Sequence, residues 1–234
     1  MAAIIERSRR EVGLGRARWA YRRPGLFARL ARQSGRDSRS RQTAARVINQ
    51  GASLQEQSVI AATRRWIERF VVGFNLCPFA RRELEEGRVR FAVTRARDAL
   101  QLLQALQDEL ELLGADGDLE TTLLIHPEVL SGFSDYNQFL DDCERLLRAL
   151  DLEGVFQIAS FHPDYQFAGT DPGDAENFSN RSPYPMLHIL REASVERAVA
   201  GYADIEAVPA RNIATLGKLG PERLRALWQD CFDV

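Results

Sequence analysis

Thr121-Thr122-Leu123-Leu124-Ile125-His126-Pro127 is an apolar run closed by His-Pro, and Ile158-Ala159-Ser160-Phe161-His162-Pro163 repeats the pattern 36 residues later. Proline lacks an N–H and biases the residue before it to extended geometry, so each run reads as a strand that stops right after its histidine. The 36-residue spacing is the span of one helical crossover. Right-handed crossovers make such strands parallel. Both imidazoles then stand at one edge of one sheet, where α/β proteins bind ligands.

Periodicity fills in the elements around this pair. Val89, Phe91 and Val93 alternate with Arg88, Arg90 and Ala92 as a further strand. Asp98 caps a helix with Leu102, Leu103, Leu106, Leu110 and Leu113 inward, closed by Gly114. Ser134 caps the next, whose stripe is Tyr136, Phe139, Leu140, Cys143, Leu146, Leu147 and Leu150, and Gly154 introduces the strand Val155 to Phe161. Upstream, Val59, Thr63, Trp66, Ile67, Phe70 and Val71 form a helical stripe ending at Gly73. The order predicts an α/β fold: a small three-stranded, parallel βαβαβ sheet with flanking helices. The alternation in the first strand allows a two-layer arrangement with one open face. Beyond residue 185 the pattern is helical, over about 185–201 and about 208–217, then in a helix opened by Pro221. That is a C-terminal helical segment.

A chain of 234 residues with 45% hydrophobic content suits one domain plus appendages. Its net charge of −2 conceals two unlike pieces. Residues 1–53 hold thirteen arginines against Glu6, Glu11 and Asp37, a net +10, so the remainder carries −12. The head shows no sustained apolar period and reads as a disordered basic extension, with a single α/β domain over 57–234. It suits a nucleic-acid or anionic-surface arm, an organelle transit peptide or sequence upstream of the true start. The last reading is favoured, because regular patterning begins only near Ser58 and an acidic domain makes a poor nucleic-acid binder. Cys77, Cys143 and Cys231 are widely spaced and odd in number, which argues against a disulfide framework and for a reducing, cytoplasmic setting. No apolar run approaches the roughly 18 residues needed to cross a bilayer, so a membrane partner is not expected.

The candidate site gathers at the strand edge. His126 and His162 are the candidate acid/base groups, or ligands for a divalent metal such as zinc or iron together with His188. Arg95 and Arg97, just after the first strand, suit a carboxylate or phosphate. The 163–185 segment has neither helical nor strand period and leaves directly from His162, so it reads as the wall or lid of the site. It offers Asp164, Tyr165, Asn177, Asn180 and Arg181 as substrate-binding groups. Pro185 suits a first helical turn, leaving His188 one turn in; a buried histidine bonding the loop backbone fits it equally well. Each strand-end histidine also has a bland reading, as a cap bonding a loop carbonyl. Cys77 lies in Asn75-Leu76-Cys77-Pro78-Phe79-Ala80. Pro78 at a first helical position would make Cys77 the N-cap, where the helix dipole and Arg81 or Arg82 lower a thiol pKa. A small buried hydrophobe explains it equally.

The run from Asn75 to Ala80, the run from Thr121 to Pro127, Phe161 to Gly169 and Asn180 to Glu192 together resemble the bacterial and plastid domain-of-unknown-function family 1415. The resemblance covers roughly residues 57–230 and leaves out the basic head. It implies a shared identity and transfers no catalytic residue. The expectation from the residues themselves is a small-molecule enzyme acting on an anionic substrate, metal-assisted or not. The alternatives are a non-catalytic binder of a small ligand or metal, and a thiol-dependent redox protein built on Cys77.

Overall fold

Three strands form where the apolar runs predict them: β1 (Val89–Val93), β2 (Thr121–Ile125) and β3 (Phe156–Phe161). The computed structural model describes residues 53–233, so the expectation for the basic head lies, apart from Ser53, outside the described residues. Helix α1 (Leu54–Trp66) begins with a capping box in which Ser53 and Glu56 satisfy each other's backbone N–H. It runs into a π-helical turn, Ile67–Val72. A Cβ on Gly73 would lie 2.2 Å from the Arg69 carbonyl oxygen, so only glycine closes this turn. Helix α2 (Ala80–Glu85) precedes β1, and α3 (Ala99–Ala115) joins β1 to β2 with the predicted Asp98 cap, whose side chain accepts from the Gln101 N–H at 2.8 Å. Helix α4 (Phe133–Ala149) joins β2 to β3; its N-cap is Gly132, where Ser134 was expected.

The sheet departs from expectation in one strand. β4 (Met186–Arg191) occupies the start of the segment read as helical, and the helix there, α5 (Glu192–Ala200), begins only after it. The strand order is β1-β2-β4-β3. β1 and β2 are parallel, and β4 runs antiparallel between β2 and β3. The sheet is therefore four-stranded and mixed, where three parallel strands were predicted. Met186 pairs with both Ile125 and Phe161, so β4 starts at the edge where β2 and β3 end. Helices α6 (Val208–Leu219) and α7 (Pro221–Gln229) follow as predicted, with Pro221 first in its helix.

Neither face of the sheet is open. On one face Leu124, Phe156, Leu187 and Ile189 pack with the leucine stripe of α3 and with Tyr136, Phe139, Cys143 and Leu147 of α4. Each fully buried leucine of that stripe contributes roughly 1.5–3 kcal/mol. On the other face Leu123, Ile125, Ala159, Phe161 and Met186 meet Trp66, Phe70, Leu216 and Leu224. Arg191, at the end of β4, donates to the carbonyl oxygens of Leu113, Asp116 and Leu119, satisfying acceptors left at the C-terminal end of α3. Among the described residues no helix is long and apolar enough to cross a membrane.

Candidate functional site

The alternation of a strand sends residues of one parity to one face, so His126 follows Leu124 toward α4, and His162 follows Phe156 and Ile158 the same way. Between the two imidazoles stands Tyr136, its ring 5.8 Å from that of His126 and 5.1 Å from that of His162. The two histidines do come together at one strand edge. Both rings bond the backbone of neighbouring loops. His162 Nδ1 accepts from the Asp164 N–H at 3.0 Å, so its other nitrogen donates to the Leu130 carbonyl at 3.2 Å. Leu130 sits at φ 56°, a left-handed conformation that costs an L-residue roughly 1–2 kcal/mol, and the histidine helps to hold it. His126 Nδ1 bonds the Val129 carbonyl at 3.0 Å, leaving Nε2 buried without a partner among the described residues. Burial lowers the His162 pKa and pushes that of His126 down to about 4. Tyr136 completes the cluster: its hydroxyl accepts from the Phe161 N–H at 3.0 Å and donates to the Met186 carbonyl at 2.8 Å, bridging β3 and β4.

The groups expected to hold an anion are engaged within the protein. Arg95 pairs with Glu56 at 2.9 Å and Arg97 with Glu128 at 3.2 Å. Arg181 donates to the Tyr165 and Pro172 carbonyls and lies over the Phe178 ring. Asn177 organises the 163–185 segment: its Oδ1 accepts from the Phe167 N–H and the Thr170 hydroxyl, and its Nδ2 donates to the Asp171 carbonyl. Asn180 ties the same segment to the Ser160 carbonyl at 3.0 Å. Tyr165 packs on Phe133 and Phe167. Asp164 is exposed and offers its backbone N–H to His162. The segment is an ordered cap over the strand ends, closed by the short 3₁₀ turn Ala175–Ser179.

His188 lies elsewhere. It is in β4, opposite Leu123 and Ala159, and so on the face away from His126 and His162. The three histidines therefore do not form one ligand set. Among the described residues no group of three or more His, Cys, Asp or Glu side chains is placed to hold a metal ion. Cys77 also departs from expectation. The N-cap of α2 is Phe79, and burial raises the Cys77 thiol pKa where a helix start was expected to lower it.

These two residues meet at a cavity of about 160 Å³ on the second face. Its floor is Leu123, Thr121, Phe161, His188 and Leu190 of the sheet, its walls Trp66, Ile67 and Val71 of α1 and the π-helical turn, Cys77 and Leu84 around α2, and Val195, Ala198 and Val199 of α5. The π-helical turn, a feature frequent at functional sites, and Asn75, at φ 53°, shape the wall that carries Cys77. The polar centre is a relay: the Thr121 hydroxyl donates to the Ile189 carbonyl at 2.5 Å and stands 2.7 Å from His188 Nε2. With its hydrogen on Ile189, the hydroxyl accepts from Nε2–H, which leaves Nδ1 as the lone-pair nitrogen. Burial pushes the His188 pKa down to about 3, so the ring is neutral at physiological pH. At one end of the cavity Glu83 and Glu120 share Arg88, and burial raises the Glu83 pKa.

Residues 58–226 match the family described as "Protein of unknown function (DUF1415)". The chain belongs to the DUF1415 family. No curated protein and no solved structure matches it. In this DUF1415 chain the residues that sequence reasoning missed are Tyr136, Thr121 and Trp66, each buried and each on an apolar stripe or run. Only Thr121 carried a usable signal, a hydroxyl at the start of a fully buried strand, whose partner His188 was assigned to a helix.

Proposed function

We propose that this protein binds a small, largely apolar molecule in the cavity between β2–β4 and helices α1, α2 and α5. The observation that carries the reading is the cavity itself, about 160 Å³ and lined mainly by apolar side chains around the single Thr121–His188 relay. An apolar cavity of about 150 Å³ accommodates benzene, so the occupant is of single-ring size. Binding is favoured over catalysis because the nearest chemical groups are poorly poised near neutral pH. The Cys77 thiol is raised by burial, which works against a thiolate nucleophile, and His188 is too weak a base.

The test uses toluene. Calorimetric titration of the full chain is expected to give saturable binding. Ala198→Phe, which places a phenyl ring in the cavity, is expected to abolish it while the protein stays folded. Absence of binding to the parent protein, or binding undiminished in the variant, overturns the reading.

One observation favours a second reading, an acid/base or metal-assisted enzyme at the strand edge acting on an anion. His126 Nε2 is a buried lone pair with no partner among the described residues. Stoichiometric metal in the purified protein, lost in His126→Ala, would support that reading over the first.

A further inference from the structure

We propose that the ligand of the β2–β4 cavity is a neutral, single-ring hydroxyl compound of the phenol class, whose O–H donates to His188 Nδ1. This rests on the cavity being a binding site and goes on to name what the site selects.

Thr121 has one hydroxyl hydrogen, and the Ile189 carbonyl takes it at 2.5 Å. At 2.7 Å the hydroxyl oxygen is then the acceptor, and His188 Nε2 must be the donor. A neutral imidazole carries one hydrogen, so Nδ1 is an acceptor. Among the described residues it has no partner, yet His188 is only half-buried and lines the cavity. A donor on a ligand in the cavity gives this acceptor a partner, the gain of one neutral hydrogen bond. The relay is fixed at both ends, and while the ring stays neutral Nδ1 cannot become a donor without breaking the bond to Thr121.

The remaining polar groups decide against the other single-ring classes. Glu83 and Glu120 line the cavity, and their carboxylates are offset by Arg88, whose guanidinium is 2.8 Å from Glu83 and 4.0 Å from Glu120. Arg191 also borders the cavity, but its guanidinium is turned to the carbonyls of Leu113, Asp116 and Leu119. A carboxylate ligand would meet a lone pair and two carboxylates with no cation committed to it. An ammonium ligand would leave water for apolar walls, where a charge is costly to bury unless it is paired, and the nearby carboxylates already have Arg88. A hydroxyl satisfies the lone pair without bringing a charge.

Toluene, phenol, benzoate and benzylamine are titrated in turn into the full chain by calorimetry. Toluene is expected to bind, phenol to bind roughly three- to tenfold tighter, the gain of one neutral hydrogen bond, and benzoate and benzylamine to bind more weakly than toluene. In His188→Leu the preference for phenol over toluene disappears. Phenol no tighter than toluene, or benzoate or benzylamine tighter than phenol, overturns this inference and leaves the binding reading intact. No binding by any probe overturns both. Should His188→Leu fail to fold, long-range ¹⁵N NMR of the parent protein decides. The His188 Nδ1 resonance moves upfield on saturation with phenol and stays in place with toluene; an unmoved resonance refutes the hydrogen bond.

Discussion

Lowering the pH from 7 to 5 is expected to strip this fold of a large part of its stability, through histidines that it holds neutral. His126 titrates at about 4, His188 at about 3, and His162 is lowered as well, all three chiefly by burial. In an unfolded chain a histidine titrates near 6.5. Each folded pKa lies below the unfolded one, so the histidine contribution is complete above about pH 6.5 and is lost as pH falls toward the folded values. At pH 5 the unfolded chain carries nearly one proton on each histidine, and native His126 and His188 carry almost none. Integrating the linkage relation over that interval gives roughly 2 kcal/mol for each, or roughly 4 kcal/mol for the pair. Domains of this kind are stable by about 5–15 kcal/mol in all, so the loss is large. Glu83, raised by burial, works in the opposite sense at lower pH, which makes 6.5 down to 5 the informative window. Urea unfolding followed by circular dichroism measures it. With a slope of about 2 kcal/mol/M, the midpoint falls by about 2 M. His188→Leu should fall by roughly half as much. A midpoint that stays level between pH 7 and 5, or the same fall in the variant, would refute the reasoning.

His162→Ala is expected to destabilise the fold by about 2–4 kcal/mol in urea titration, because it removes a fully buried ring and unpairs the Leu130 carbonyl. Its cost should approach that of Phe161→Ala; a change under about 0.5 kcal/mol, the scale of an ordinary surface substitution, would return His162 to a purely chemical role. Asn177→Ala removes the acceptor for the Phe167 N–H and the Thr170 hydroxyl and the donor to Asp171, so hydrogen exchange over 163–185 should accelerate markedly while β1 and α3 stay protected. Exchange unchanged in the cap would show that its aromatic packing alone orders it.

The elements that the sequence predicts are those marked by a regular recurrence of polar positions or by a His-Pro stop. β1 alternates, α3 and α4 carry clean stripes, and the His-Pro pairs mark the ends of β2 and β3, so three strands, the crossovers and the meeting of His126 with His162 all follow. β4 did not, for a physical reason. Met-Leu-His-Ile-Leu-Arg is interior to the sheet, with apolar residues on both faces, so the alternation that identifies a strand is erased. Pro183 and Pro185 ahead of it mimic a helix start. The cavity was hidden with it, since Thr121 and His188 become neighbours only once β4 lies beside β2. The arginines misled in another way: Arg95, Arg97 and Arg181 are at the expected edge, but their partners Glu56, Glu128 and the Tyr165 and Pro172 carbonyls are set by tertiary structure alone.

The last strand made is an inner one. In a chain made only as far as Phe161, β2 and β3 would lack the strand that lies between them and pairs with both, leaving N–H and C=O groups unpaired along an apolar edge. Such edges invite pairing with other chains. They are closed only when the 24 residues from His162 to Pro185 have been made and β4 follows. The cap that Asn177 and Asn180 knit together thus has a duty in time as well as in space: by compacting early it would carry β4 to the slot and shorten the interval of exposure. Fragments ending near residue 161 should aggregate, and those reaching past Arg191 should not.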